Sequence, residues 1–291
     1  MSPIRRAAVL GHPIAHSLSP VLHRAAYAAL GLDGWTYQAV DVDEAGLAGF
    51  LAGLDTSGAD GSWAGLSLTM PLKRTVRSLL AAESELAAAV GAVNTVTFGP
   101  DGPVGDNTDV AGMVAALREA GVDRADRAAV LGGGATATSA VAALLQLGCD
   151  TPAVHVRRLS TTGELQAAGS RLGVHPVLAG LDQQGLAGLA GLDLVISTLP
   201  GGAADELAGQ LVSAAGPDRL PLLLDVVYAP WPTPLATRWT AAGGRVVGGF
   251  PMLLHQAADQ VRLMTGRPAP LTAMRAAGEA ELARRRVAAG S

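Results

Sequence analysis

Four apolar residues, Ala128-Ala129-Val130-Leu131, run directly into Gly132-Gly133-Gly134, and the stretch after them, Ala137 to Leu147, has the period of a helix and a Gly148 stop. No other feature of the chain restricts its fold as tightly. A short run with no polar face reads as a strand buried on both sides, which calls for helices above and below a parallel sheet. Pro152 to Val156, Leu192 to Ser197 and Leu220 to Val227 repeat the pattern, each bounded by turn residues. Residues 110–248 are therefore expected to form a Rossmann-like, doubly wound domain.

Strand, glycine turn and helix in that order form a cradle for a dinucleotide pyrophosphate. Gly132 permits the tight turn, Gly134 lets the phosphates approach the backbone, and Ala137 allows close helix packing, with Gly133, Ala135 and Thr136 completing the segment. Where an NAD site would place an acid for the ribose 2′-hydroxyl, at the end of the second strand, this chain has Arg157-Arg158. Two guanidinium groups suit a 2′-phosphate, so NADP is the expected cofactor.

The N-terminal third reads as a separate α/β domain. Residues 6–11 suit a strand, Ser19 an N-cap with Pro20 at the first helical position, and Gly31 the stop after Val21 to Leu30. Trp35 to Val42 suits a second strand, Glu44 to Leu54 a helix and Gly65 to Thr69 a third strand. Val110 to Ala120 reads as a connecting helix closed by Gly121. Pro251 to Leu263 and Ala269 to Arg286 are helical patterns without a strand between them, expected to return to the first domain. Substrate would then bind residues 1–109 and 249–291.

A length of 291 residues favours two domains, and 49% hydrophobic against 16% charged residues leaves ample material for buried sheets. A net charge of −4 gives no footprint for nucleic acid, and the run Arg284-Arg285-Arg286 reads as a solvated helix face. Cys149 is alone, so no intramolecular disulfide forms. Gly11, His12 and Pro13 interrupt the first apolar stretch before a signal-peptide core develops, and no apolar segment reaches the ~18 residues of a membrane helix. A cytoplasmic protein is expected, as monomer or homodimer. His12 and His16 are separated by Pro13 in a loop and share no helix face, so no metal is expected.

Lys73 is the only lysine beside 20 arginines. Guanidinium stays protonated whereas an ammonium can give up its proton, so a lone amine among arginines marks a candidate for proton transfer. Polar clusters at strand ends or turns surround it in sequence: Ser17 and Ser19, Thr69, Asn94-Thr95, and Asn107-Thr108-Asp109. Lys73 and Asp109 would supply an acid–base pair for a nicotinamide enzyme acting on an alcohol. Each residue also has a plain structural explanation: the two asparagines as turn formers, Asp109 and Ser19 as caps, and Thr69 as an ordinary strand residue.

Together the clusters resemble a family. Gly11-His12-Pro13-Ile14-Ala15-His16-Ser17-Leu18-Ser19-Pro20 and Ser67-Leu68-Thr69-Met70-Pro71-Leu72-Lys73 resemble two signatures of shikimate dehydrogenases. Gly91 to Thr95, Gly105 to Asp109, the glycine turn, Ser197 to Gly201, Asp225 to Leu235 and Gly249 to Gln256 look like further blocks in the family's order. The resemblance spans nearly the whole chain. It implies NADPH-dependent reduction of 3-dehydroshikimate to shikimate, in aromatic amino-acid biosynthesis, in a cleft between two domains.

The same resemblance implies Lys73 and Asp109 as catalytic residues. It places Ser17 and Ser19 on the substrate carboxylate with Tyr228 close by, and Thr69, Asn94 and Gln256 on the ring oxygens. Ser197, Thr198, Leu199, Val226 and Gly249 join the cofactor set. The chain departs from the pattern at Ser67 and Ser197, each standing for a usual Asn, at Ala135-Thr136 where Gly-Ala is common, and at Arg157-Arg158 in place of an Asn-Arg-Thr triplet. Rival readings are a quinate or aminoshikimate dehydrogenase of the same fold, and a non-catalytic NADP-binding regulator. The second has no use for Lys73, Asp109 and both serines together.

Overall fold

The computed structural model describes residues 4–216 and 220–290, which divide into two compact units, Met1–Thr108 with Leu254–Ser291, and Asp109–Leu253. The first unit carries a six-stranded sheet of β1 (Arg5–Gly11), β2 (Trp35–Asp41), β3 (Ser62–Leu68), β4 (Ala82–Glu83), β5 (Thr95–Gly99) and β6 (Gly102–Asp106), in spatial order β2-β1-β3-β5-β6-β4. β1, β2 and β3 are parallel, whereas β5 runs antiparallel to β3 and to β6. Helices α1 (Ser19–Ala29), α2 (Leu47–Ala52), α3 (Leu72–Thr75) and α4 (Glu85–Val90) follow successive strands.

The second unit opens with α5 (Asp109–Glu119) and holds a wholly parallel sheet of β7 (Ala128–Leu131), β8 (Ala153–Val156), β9 (Val177–Gly180), β10 (Leu194–Ser197), β11 (Leu222–Asp225) and β12 (Val246–Val247). Its order, β12-β11-β10-β7-β8-β9, reverses direction at β7, which makes the β7/β10 boundary the place where a doubly wound sheet opens a ligand crevice. β7, β10 and β11 are buried along their whole length, which accounts for their uninterrupted apolar runs. The connecting helices are α6 (Ala135–Gln146), α7 (Gly163–Leu172), α8 (Gln183–Leu186), α9 (Ala208–Ala214) and α10 (Pro234–Ala241). Two long helices close the chain, α11 (Gly249–Thr265) and α12 (Leu271–Gly290).

From Leu254 onward the chain belongs to the first unit, where α12 packs along α1. α11 lies against β3 because residue 65 is glycine: a Cβ there would meet Met264 Cγ at 2.7 Å. Three local expectations are corrected. Ser19 is not the N-cap of α1; Leu18 takes that place with no side-chain bond, and Ser19 is the first helical residue, its amide donating to Ser17 Oγ at 3.3 Å. The helix after the glycine turn begins at Ala135 rather than Ala137, since Gly134 already has the extended geometry of a cap. The helix expected over Glu44 to Leu54 is confined to Leu47–Ala52, because Asp43 Oδ1 takes the amide of Gly46 in a turn.

His23 of α1 is wholly buried, stacked on Tyr37 with ring centroids 3.8 Å apart, and its Nδ1 donates to Ser19 O at 3.0 Å. Nε2 has no partner, and burial pushes the imidazole down from 6.5 to about 4. The folded state therefore holds the ring neutral, and protonation favours unfolding. Stability from this site is full above pH 6.5 and falls, by up to about 3 kcal/mol, as pH drops from 6.5 to about 4. Thermal unfolding of the wild type should lose several degrees relative to His23→Phe over that window, since Phe keeps the stack without the titration. A Tm difference that stays constant with pH would contradict this.

Candidate functional site

The candidate substrate residues of the first unit gather at the C-terminal ends of its parallel strands. The turn after β3 fixes Thr69 beside Lys73: Thr69 N donates to Leu10 O at 2.9 Å, and Leu72 N to Thr69 O at 2.8 Å. Lys73 is half-buried on α3, whose depth is set by the fully buried Leu72, and its carbonyl accepts from Val93 N at 2.8 Å. Beside this turn lies the loop after β1, tied to it by His12 N donating to Met70 O at 3.0 Å. That loop presents Ser17, half-buried, and leads into Ser19, buried at the first position of α1.

Asn94 follows the left-handed turn at Gly91 (φ 74°) and immediately precedes β5. It is 1% exposed, and its carbonyl accepts from Leu68 N at 2.8 Å, which locks it to the end of β3. Oδ1 accepts from Thr108 N at 2.8 Å, and Nδ2 donates to Gln256 Oε1 at 3.4 Å. Gln256 reaches the group from α11. The structure thus brings Ser17, Ser19, Thr69, Lys73, Asn94 and Gln256 to one end of one sheet. Asn107 has a different duty: its side chain donates to Ala92 O at 2.9 Å and holds the Gly91–Asn94 turn.

Sequence reasoning read Arg284, Arg285 and Arg286 alike as solvated, and Arg285 departs from that. Half-buried, it donates to His16 O at 2.7 Å and Ser17 O at 3.4 Å, while Glu281 accepts from it at 2.7 Å. Arg284 and Arg285 hold the Glu281 carboxylate well below its usual range, at about 2. The C-terminal helix therefore clamps the backbone of the serine loop. An i, i+4 Glu–Arg pair signals such a clamp only weakly, since surface helices carry it routinely.

In the second unit, Asp109 stands in the first turn of α5 and is 4% exposed. The expected cofactor residues line the C-terminal ends of neighbouring strands. Gly132 takes φ +117° just after β7, and a Cβ there would overlap Thr198 Oγ1, while Thr198 N and Oγ1 both donate to Leu131 O at 2.9 Å. The glycine turn and the Ser197-Thr198-Leu199 segment are thereby fixed edge to edge. α6 has no side-chain cap at its start; Gly134 is exposed, Ala135 and Thr136 are half-buried, and Ala137 is buried with its amide donating to Gly134 O at 3.0 Å. Such a turn fits a pyrophosphate.

Arg157 and Arg158 are exposed directly after β8. Val226 N donates to Ser197 O at 3.0 Å, and Gly249 N to Val227 O at 3.1 Å, which lines up three strand ends. Tyr228 follows β11, half-buried. Asp225 is buried, which raises its carboxyl above the usual range, and Thr233 donates to it at 2.7 Å. Among the described residues no group of three or more His, Cys, Asp or Glu is placed to hold a metal, and no helix is long and apolar enough to cross a membrane.

Residues 9–96 match the family model described as the shikimate dehydrogenase substrate binding domain, and residues 249–277 match the shikimate 5′-dehydrogenase C-terminal domain. The chain is 35% identical over 278 residues to "Shikimate dehydrogenase (NADP(+))" of Thermosynechococcus vestitus, with 94% of each chain covered. It is 36% identical to the protein of the same name from Moorella thermoacetica, covering 92% of this chain and 90% of that one. Among solved structures, the shikimate dehydrogenase of Mycobacterium tuberculosis superposes with a TM-score of 0.84 at 41% identity, covering 95% of this chain and 99% of the other. The Thermus thermophilus enzyme, solved in complex with NADP(H) and shikimate, superposes at 0.80 with 32% identity, covering 95% of this chain and 99% of its own.

Proposed function

The chain belongs to the shikimate dehydrogenase family, and on that premise we propose that it reduces 3-dehydroshikimate to shikimate with NADPH, using Lys73 and Asp109 to handle the proton. Residues 1–109 and 249–291 hold the substrate, and residues 110–248 the cofactor. The observation that carries the reading is the convergence, within one unit, of three hydroxyls, an amine and two carboxamides on a single sheet end.

Ser17 and Ser19 donate to the substrate carboxylate, and Tyr228 is assigned to the same substrate. Thr69, Asn94 and Gln256 hold the ring oxygens. Gly132 to Ala137 cradle the pyrophosphate, Arg157 and Arg158 take the 2′-phosphate, and Ser197, Thr198, Leu199, Val226 and Gly249 line the remainder of the cofactor. NADPH, when bound, supplies the hydride. Lys73 supplies the proton to the oxygen that becomes the new hydroxyl, and its positive charge stabilises that oxygen as negative charge develops there. Asp109 is the carboxylate member of that acid–base pair.

NADP is favoured over NAD by the exposed guanidinium pair after β8, with no carboxylate before Glu164 to repel a 2′-phosphate. A cytoplasmic setting suits a chain whose one cysteine, Cys149, is buried in the second unit, acting as monomer or homodimer. Oxidation of shikimate and of quinate, each with NADP and with NAD, followed by absorbance of the reduced cofactor, tests the proposal. Shikimate with NADP should give the highest kcat/KM. Preference for quinate with NAD would replace it with the rival activity.

A further inference from the structure

The Asn94 amide owes its direction to residues that the reaction itself does not use. Its Oδ1 receives the backbone N–H of Thr108 and the hydroxyl of Thr95, each at 2.8 Å. A reversed amide would set NH2 against that N–H, so the nitrogen must face the other way. Thr95 can aim its proton at Asn94 because its oxygen lone pair is engaged by Gln260 Nε2 at 3.1 Å. Gln260 is oriented in turn: Nε2 also donates to Asn94 O at 3.2 Å, and Oε1 accepts from Ser67 Oγ at 2.8 Å. Ser67 accepts from Tyr37 OH at 2.6 Å.

Donors thus point one way along the whole line, from Tyr37 through Ser67, Gln260 and Thr95 to Asn94. All five are at most 3% exposed. Hydrogen bonds aligned head to tail in a dry interior polarise one another, and reversing one link leaves a buried donor facing a donor or an acceptor facing an acceptor. The line has one stable direction.

We propose that Gln260 is a positioning residue of the substrate site: acting through Thr95, it fixes the Asn94 carboxamide with its NH2 toward Thr108 Oγ1 at 3.0 Å and Gln256 Oε1 at 3.4 Å, the longer of these bonds being the one that a ring oxygen of the substrate takes over. The inference rests on the reading of Asn94 as a substrate contact. Gln260 itself touches no reacting atom. A merely structural polar pair would stabilise the fold without regard to which end of the Asn94 amide faces the substrate; here the direction of every proton is specified.

Wild type, Gln260→Met, Asn94→Ala and the double variant test this, with thermal unfolding as the check of folding. Gln260→Met should raise the KM for shikimate about tenfold, the effect of losing one well-aligned hydrogen bond, and leave the KM for NADP within about twofold. In the Asn94→Ala background the same substitution should change the shikimate KM by less than about twofold. An equal loss in both backgrounds overturns the proposal. If Gln260→Met fails to fold, Gln260→Glu keeps the shape and the bond from Ser67 while turning the Thr95 hydroxyl away from Asn94, with the same pattern expected.

The orientation can also be read without substrate, from the Asn94 side-chain NH2 signals in a 1H–15N spectrum. They should shift in either Gln260 variant, and unmoved signals overturn the positioning role. Wild-type protein inert toward shikimate, or Asn94→Ala with an unchanged KM, removes the reading of Asn94 instead, and the spectrum still decides what Gln260 does.

Discussion

Lys73→Ala should lower kcat by roughly two orders of magnitude or more, with the KM for shikimate changed by less than about threefold. Expecting so clean a split depends on how the residue is held. α3 is seated by Leu72, which is fully buried, and by the bond from Val93 N to the Lys73 carbonyl, neither of which involves the side chain beyond Cβ. Truncation therefore removes an amine and leaves the turn with Thr69 standing. An interaction made only as charge develops on the reacting oxygen appears in kcat, whereas a contact made equally with bound substrate would appear in KM.

Lys73→Arg separates the two ways an amine can act. A guanidinium retains the charge but does not release a proton at any pH the enzyme meets. Activity near that of the alanine variant would assign proton transfer to Lys73, and substantial recovery would assign it electrostatic stabilisation. Near-normal kcat in Lys73→Ala, measured under saturating shikimate and NADP, would refute both roles.

What the sequence discloses depends on how far each signal reaches. Strands β7, β10 and β11 are buried on both faces, so their apolar runs need no partner to be recognised, and Gly132 announces its own turn. The β5–β6 hairpin is less visible although its turn, Gly99-Pro100-Asp101-Gly102, has ordinary turn chemistry. Its strands are short and rich in threonine, glycine and proline. Asn94 and Asn107 were open to reading as turn formers for that reason, and Asn107 does stabilise a turn while Asn94 faces the candidate substrate group. Gln260 and Arg285 lie beyond local reasoning: their partners stand 193 and 269 positions away in the chain, and only the packing of α11 and α12 supplies them. Local rules failed at Ser19 too, because a proline at the first turn fits a cap one residue earlier or later equally well.

Replacing Arg157 and Arg158 together by alanine should raise the KM for NADPH by about ten- to a hundredfold while leaving that for NADH within about threefold. Charge-assisted hydrogen bonds are worth about 1.5–3 kcal/mol, exposure to solvent reduces the exposed pair together to about that scale, and NADH offers no phosphate at that position. The effect should be confined to binding. Both side chains are exposed, and the contacts that shape the turn after β8 use the backbone: Arg158 O accepts from Thr161 N and Thr161 Oγ1 at 3.3 and 3.0 Å. Alanine leaves that carbonyl in place, so Tm and kcat at saturating NADPH should stay near wild type. An equal change for both cofactors would place the guanidinium groups on the shared adenosine or leave them in solvent, and 2′-phosphate recognition would have to come from elsewhere in the second unit. Because electrostatic contacts at an open surface weaken with salt, the advantage of NADPH over NADH in the wild type should shrink as ionic strength rises, and in the double variant it should not.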